Sequence, residues 1–212
     1  MPAGSELLDV SLGTYLPGRN TGPISPYQKP QSQSSSPITF RALNEPDMHA
    51  LIRTVDRSSP GSRRARFHEP LSSLPLGWAR RICRAATDRV AVAAVVRSHQ
   101  HHLWKVSGAA MGDPADDEIV ALAQVEPGVG AGELAILVED SYQREGLGRL
   151  VVTAALTAAA VRGTTQVHAH LLPDNDGIQR LLEALELPLV RRQRDTKLIW
   201  TMDCSVLAEQ VR

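Results

Sequence analysis

Residues 132–163 read GELAILVEDSYQREGLGRLVVTAALTAAAVRG. The apolar run from Glu133 to Val138 reads as a strand, and the Leu/Val/Ala stretch from Leu150 as a helix closed by Gly163, a residue suited to the position just past a helix end. Between them QREGLGR, Gln143 to Arg149, sets two glycines one residue apart at the corner. Glycine lacks a Cβ, so the chain there can turn sharply and approach a ligand closely. A helix that opens at such a corner presents amides without intrahelical partners, and its dipole favours an anion. Arg144 and Arg149 add positive charge beside it. On these residues alone two readings stand: a cradle for a phosphate-bearing ligand, or a tight turn that needs glycine. A Walker loop is excluded because no Gly-Lys-Ser/Thr follows, and the dinucleotide fingerprint fails for want of its third glycine.

Outward from this stretch, ITFRAL (38–43) reads as a short strand, and NEPDMHALIRTVDRSS as a helix with Asn44 at its N-cap. LSSLPLGWARRICRAA reads as a second, less regular helix. RVAVAAVVR is a continuous apolar run of the buried-strand kind. EIVALAQVEP and GELAILVED read as two strands joined by the hairpin-like GVGA. QVHAHLLP is a strand, DNDGIQRLLEALEL a helix, and PLVRRQRDTKLIWTMD supplies one or two closing strands. The order predicts a mixed α/β (α+β) fold, an antiparallel meander leading into a β–α–β unit. Residues 1–37 differ in texture. Rich in Pro, Ser, Gly and Gln, they read as a disordered tail ahead of a folded domain spanning 38–212.

The chain has 212 residues, with 23 basic and 23 acidic side chains. A zero formal charge and 4% aromatic content argue against a nucleic-acid partner, which calls for a basic excess and stacking surfaces. Cys83 and Cys204 lie far apart without CxxC context and read as thiols of a reducing, cytoplasmic compartment. No signal-like leader is seen, and the apolar run near Leu150–Val161 is too short to span a bilayer, so no membrane partner is expected. His99, His101 and His102 cluster in one loop, and His168 and His170 share a strand face. Neither set has metal-ligand spacing, and no metal is expected. RRQRD (191–195) reads as a solvated basic hairpin.

Strand, Gln143-Arg144-Glu145-Gly146-Leu147-Gly148, then helix resembles the acetyl-CoA pyrophosphate loop of GNAT-superfamily N-acetyltransferases. That pattern is Arg/Gln, two variable residues, Gly, one variable residue, then Gly or Ala. The resemblance covers residues 38–200 in element order. It is closer to bacterial protein-lysine acetyltransferase domains in SRRARFHEP (62–70), in GELAILVEDSYQREGLG and in LLPDNDGIQRLLEAL. It departs at LELPL (185–189), where the family has a Leu-Gly-Phe-like turn. It implies the GNAT fold, a mixed and mostly antiparallel sheet flanked by helices, with acetyl-CoA as co-substrate bound by Gln143, Arg144, Glu145, Gly146, Leu147, Gly148 and Arg149.

Acetyl transfer to an amine requires that the thioester be held, its carbonyl polarised and the ammonium deprotonated. Glu133, at the start of the strand before the loop, is the candidate general base. The resemblance implies that placement, and alternation puts Glu133, Ala135 and Leu137 on one face among apolar neighbours. A carboxyl so placed would have its pKa raised, which suits a base. The alternative for Glu133 is a solvated strand-edge carboxylate. The resemblance also implies that the strand carrying Leu137 and Val138 splays from its neighbour, so that their main chain receives the pantetheine arm. Asn175 reads as a helix N-cap, to which the resemblance adds a contact to the same arm. The general-acid Tyr common in this helix is missing from GIQRLLEALEL. The leading expectation is an acetyl-CoA-dependent N-acetyltransferase acting on a protein lysine. The alternatives are a small-molecule amine acetyltransferase and a non-catalytic acetyl-CoA sensor.

Overall fold

The structure, a computed structural model, describes residues 37–97, 117–194 and 196–210. The expected tail, apart from Pro37, and the His99, His101 and His102 cluster lie outside the described residues.

One seven-stranded sheet runs in the order β1-β2-β3-β4-β5-β7-β6. Its strands are β1 Ile38–Ala42, β2 Val90–Arg97, β3 Asp117–Pro127, β4 Gly132–Val138, β5 Gln166–Leu171, β6 Leu189–Arg194 and β7 Lys197–Asp203. Every neighbouring pair is antiparallel except β4 and β5, which are parallel. The helices are α1 Met48–Arg57, α2 Pro60–Phe67, α3 Leu76–Cys83, α4 Leu147–Val161, α5 Asp176–Glu183 and α6 Ser205–Glu209. The meander, the loop-to-helix corner and the β4–α4–β5 unit follow the expected order.

Alternation along the central strands divides the core in two. Val92, Ala94, Val96, Val120 and Leu134 turn toward α4. Ala93, Val95, Ile119, Leu122 and Leu137 turn toward α1 and α3. Helix α4 is apolar nearly all round, and its alanines let it lie close against the sheet; Val151, Val152, Ala155 and Leu156 are fully buried. On the other face Thr54 of α1 donates to the Ile119 carbonyl at 2.7 Å, with Arg57 at 3.3 Å. That carbonyl sits beside a register shift between β2 and β3 at Ala94/Val95, so the side chains serve a backbone group at an irregular part of the ladder.

Three local differences from the sequence reading have physical causes. Asn44 caps a 3-10 turn, Glu45–Asp47, before α1 begins. SRRARFHEP is itself largely helical: Ser59 caps α2 through a 3.1 Å bond from the Ser62 amide, with Pro60 in the first turn. The stretch expected as a single second helix is helical only over α3, since Pro75 cannot continue a helix and stands at its N-cap. The short α6 has too few residues to show a periodicity. Cys83 and Cys204 are both free and buried, and burial pushes each thiol up to about 12. Among the described residues no helix is long and apolar enough to cross a membrane.

Leu156 is fully buried in α4. Leu156→Ala is expected to lower unfolding free energy by about 2–5 kcal/mol, the range for emptying a packed Leu site, as read by urea titration.

Candidate active site at the parting of two strands

The two parallel strands pair only briefly. β4 and β5 are in register at Gly132–Val167, Glu133–His168 and Leu134–Ala169, and no pairing follows. Toward Val138 the main chain of β4 is therefore without a strand neighbour on that side. Gly132 is crowded from both sides: a Cβ there would lie 2.7 Å from Val125 Cγ1 of β3 and 3.1 Å from Thr164 Cγ2.

A cavity of about 810 Å³ opens along this parting. Leu137, Val138, Gln143, Arg144, Gly146, Gly148, Arg149 and Asn175 all line it, joined by Ser62 and Arg64 from α2 and by Arg180 from α5. The corner is built by two residues in left-handed backbone, Arg144 (φ 64°) and Gly146 (φ 81°), and Gly146 is the residue from which α4 springs. At Gly148 a Cβ would lie 2.8 Å from Leu181 Cδ1, so a side chain would press between β4 and α5. The first amides of α4 thus face a groove flanked by arginines, an arrangement that receives an anion.

The remaining expected loop residues are placed differently. The Leu147 side chain is 1% exposed and belongs to the core, leaving only its main chain for a ligand. Glu145 is not among the lining residues of either cavity. The Gln143 amide donates to the Val138 carbonyl at 3.0 Å and to Ser62 Oγ at 3.1 Å, so it ties the loop to β4 and α2. Asn175 caps α5, accepting from the Ile178 amide at 3.3 Å.

A second cavity of about 460 Å³ adjoins the first, sharing Ala65, Ile136, Asn175 and Ile178 with it. Glu133 lines this second cavity with Arg66, Phe67, His68, Trp78, Gln124, Glu126 and His170. Glu133 is exposed and stands directly opposite Glu126 across the β3–β4 ladder. Glu126 is already engaged by Arg81 at 3.1 Å and Arg89 at 3.5 Å. His68 closes α2 in left-handed backbone (φ 59°). Burial first, then the positive charges of Lys197, His170 and Arg66, hold its imidazole below the ordinary value against the pull of Glu133. Among the described residues no cluster of three or more His, Cys, Asp or Glu could hold a metal.

The sequence reading assigned no role to Ser59, Ser62, Arg66, Trp78, Gln124 or Asp140. Asp140, just past β4, accepts from the Ser59 amide and hydroxyl, both at 2.7 Å, and from Ser62 Oγ at 2.9 Å. These bonds join the loop to the N-terminus of α2 across 78 to 81 positions of sequence, and local pattern carries no signal of them.

Residues 79–186 match the acetyltransferase (GNAT) family. A comparison with curated proteins gave no match. Among solved structures, the chain is similar to the GNAT domain of S. lividans PAT at 20% identity and TM-score 0.64, over 80% of this chain and 92% of that one. It is similar to the ribosomal-protein-S18-alanine N-acetyltransferase of Escherichia coli at 16% identity and TM-score 0.53, over 79% and 94%. It is also similar to yncA of Salmonella typhimurium, solved with its cofactor acetyl-CoA, at 14% identity and TM-score 0.54, over 79% and 94%.

The Asp140 tie has a definite acid response. Burial works against ionisation of this carboxyl, but the Ser59 and Ser62 hydrogen bonds outweigh it and hold its pKa below the ordinary value. A depressed carboxyl pKa contributes stability that is complete above the unfolded value of about 4 and is lost as pH falls through the folded one. Asp140→Asn is therefore expected to be less stable than wild type at pH 7, with the gap narrowing at pH 3. Urea titrations at both pH values check this, and a gap of constant size contradicts it.

Proposed function

The chain belongs to the acetyltransferase (GNAT) family of acetyl-CoA-dependent N-acetyltransferases, and from that premise we propose that it acetylates a protein lysine, with Glu133 as general base. The observation that carries the proposal is the meeting of the two cavities. One has the glycine corner and unpaired β4 main chain suited to the donor; the other holds Glu133; they share Asn175 and Ile136.

In this reading the α4 amides, with Arg144 and Arg149, receive the pyrophosphate, and Ala135–Val138 of β4 hydrogen-bond the pantetheine arm as an added strand would. Leu137 and Val138 act through main chain, and Asn175 orients the arm beside its capping role. Gln143 contributes by holding the loop against Val138 and Ser62. Glu133 takes a proton from the acceptor ammonium, directly or through one water, because a lysine near pKa 10.4 is almost wholly protonated at neutral pH. The freed amine attacks the thioester carbonyl. The C–N bond forms, the attacking nitrogen gives its second proton to solvent, the C–S bond breaks, and the thiolate leaves to be protonated by solvent. Among the described residues neither cavity is lined by a tyrosine, so no tyrosine is assigned as acid.

A protein acceptor is supported by the cavity rim. Trp78, which lines the cavity, is 45% exposed. A large apolar group displayed at the cavity suits an extended acceptor. The resemblance of the α2 and α5 segments to protein-lysine acetyltransferases points the same way.

Two measurements test the proposal. Calorimetry is expected to show acetyl-CoA binding, and free-thiol release to show turnover with lysine peptides. Glu133→Gln should lower kcat by about 10²- to 10⁴-fold, the range for a lost general base, with acetyl-CoA affinity unchanged. Unchanged kcat removes Glu133 from the mechanism; binding without thiol release for any amine makes the domain a sensor; release with small amines only excludes protein lysine. Gly148→Val should weaken acetyl-CoA binding about tenfold or more, since its side chain would enter the space beside Leu181. Equal affinity in that variant contradicts the loop assignment.

A further inference from the structure

Resting on the reading of the Glu133 cavity as the acceptor site, we propose that the preferred acceptor carries a carboxylate close to its reacting amine and that Arg66 receives it. Arg66 stands in the last turn of α2 and lines the cavity. Its Nη2 donates to Gln124 Oε1 at 2.7 Å, which fixes the guanidinium. Its Nε is buried and has no hydrogen-bond partner among the described residues. Its aliphatic end folds the guanidinium over the Phe67 ring at 4.9 Å.

Glu126 and Glu133 are near enough for their charges to favour the cation, yet among the described residues neither forms a hydrogen bond or salt bridge with Arg66. Glu126, the nearest carboxylate by strand position to Gln124, is engaged by Arg81 and Arg89 and accepts from the Gln124 amide as well. Glu133 acts toward the ammonium. His68, His170 and Lys197 add no negative charge. Among the described residues Arg66 forms no salt bridge. Burial lowers its pKa to about 10, so it is still a cation at pH 7. A buried Nε–H without a partner is a costly arrangement, and the planar fork of a guanidinium is matched by a carboxylate. The cavity then offers a carboxylate to the ammonium and a guanidinium to an anion: the complement of a zwitterionic acceptor. A polyamine would be the choice of a cavity with two free carboxylates, and Glu126 is not free.

The carboxylate has two sources, an acidic residue flanking a peptide lysine or the carboxylate of a free amino acid. Two matched pairs separate them: a lysine peptide flanked by Glu against one flanked by Gln, and an amino acid against its primary amide. For each pair kcat/KM is read by thiol release, and Kd by calorimetry on the protein loaded with CoA. In wild type the carboxylate member of one pair is expected to be favoured about tenfold to a hundredfold, the worth of a hydrogen bond to a charged group. Arg66→Gln should abolish that preference by weakening the carboxylate member alone, and Arg66→Lys should keep part of it. Acetyl-CoA affinity equal to wild type shows that both variants are folded. Glu133→Gln should slow both members and leave their ratio intact, which distinguishes a failure of the base from a failure of Arg66. If no acceptor turns over, the Kd ratio still decides. Equal Kd values within both pairs, no binding by any member, or an equal loss for both members in Arg66→Gln overturns the proposal.

Discussion

The parting of β4 from β5 after Leu134 is the constraint on which the rest of the structure depends. Three residue pairs hold the two halves of the sheet together, and beyond them each strand keeps its other partner. A buried strand edge with open N–H and C=O groups is unfavourable unless something satisfies it. Here the edge lies in a cavity that ends at a glycine corner and a helix N-terminus. An elongated ligand with hydrogen-bonding amides along its arm and an anion at its end satisfies both. That ligand description fits acetyl-CoA, the donor of the family.

The loop is held from two directions. Gln143 bonds back to β4 and across to Ser62. Asp140 bonds to Ser59 and Ser62, and Arg57 reaches Glu139 at 2.9 Å. The same α2 helix that these bonds anchor carries Arg66, Phe67 and, at its end, His68 into the second cavity. One short helix therefore lines both cavities and is tied to the glycine corner. Its own burial is slight, since none of its residues is fully buried, so its placement rests on these polar ties and on its packing against β4.

Much of the scaffold was legible because its signals are local. Strand alternation, the glycine pair at the corner and the Asn175 cap depend on neighbours in sequence. The face shared by Glu133, Ala135 and Leu137 followed from period two alone, although Glu133 itself proves exposed rather than sunk among apolar groups. What local pattern did not carry was pairing across the chain. Asp140 finds Ser59, Arg66 finds Gln124, and Glu126 finds Arg81 and Arg89 only once the fold brings them together. The helix in SRRARFHEP was hidden by its short length and by the prolines on either side. The second cavity is lined through these long-range contacts, whereas the glycine corner is one contiguous loop, which is why the corner was easier to read.

If the β4 edge and the α4 corner together seat acetyl-CoA, both are shielded when it binds. Amide hydrogen exchange with and without acetyl-CoA tests this most directly. Slowed exchange in both Ala135–Val138 and Leu147–Arg149, with β1 and β6 unchanged, is the predicted result. Binding that leaves both segments unprotected, or protects only a distant surface, would contradict it.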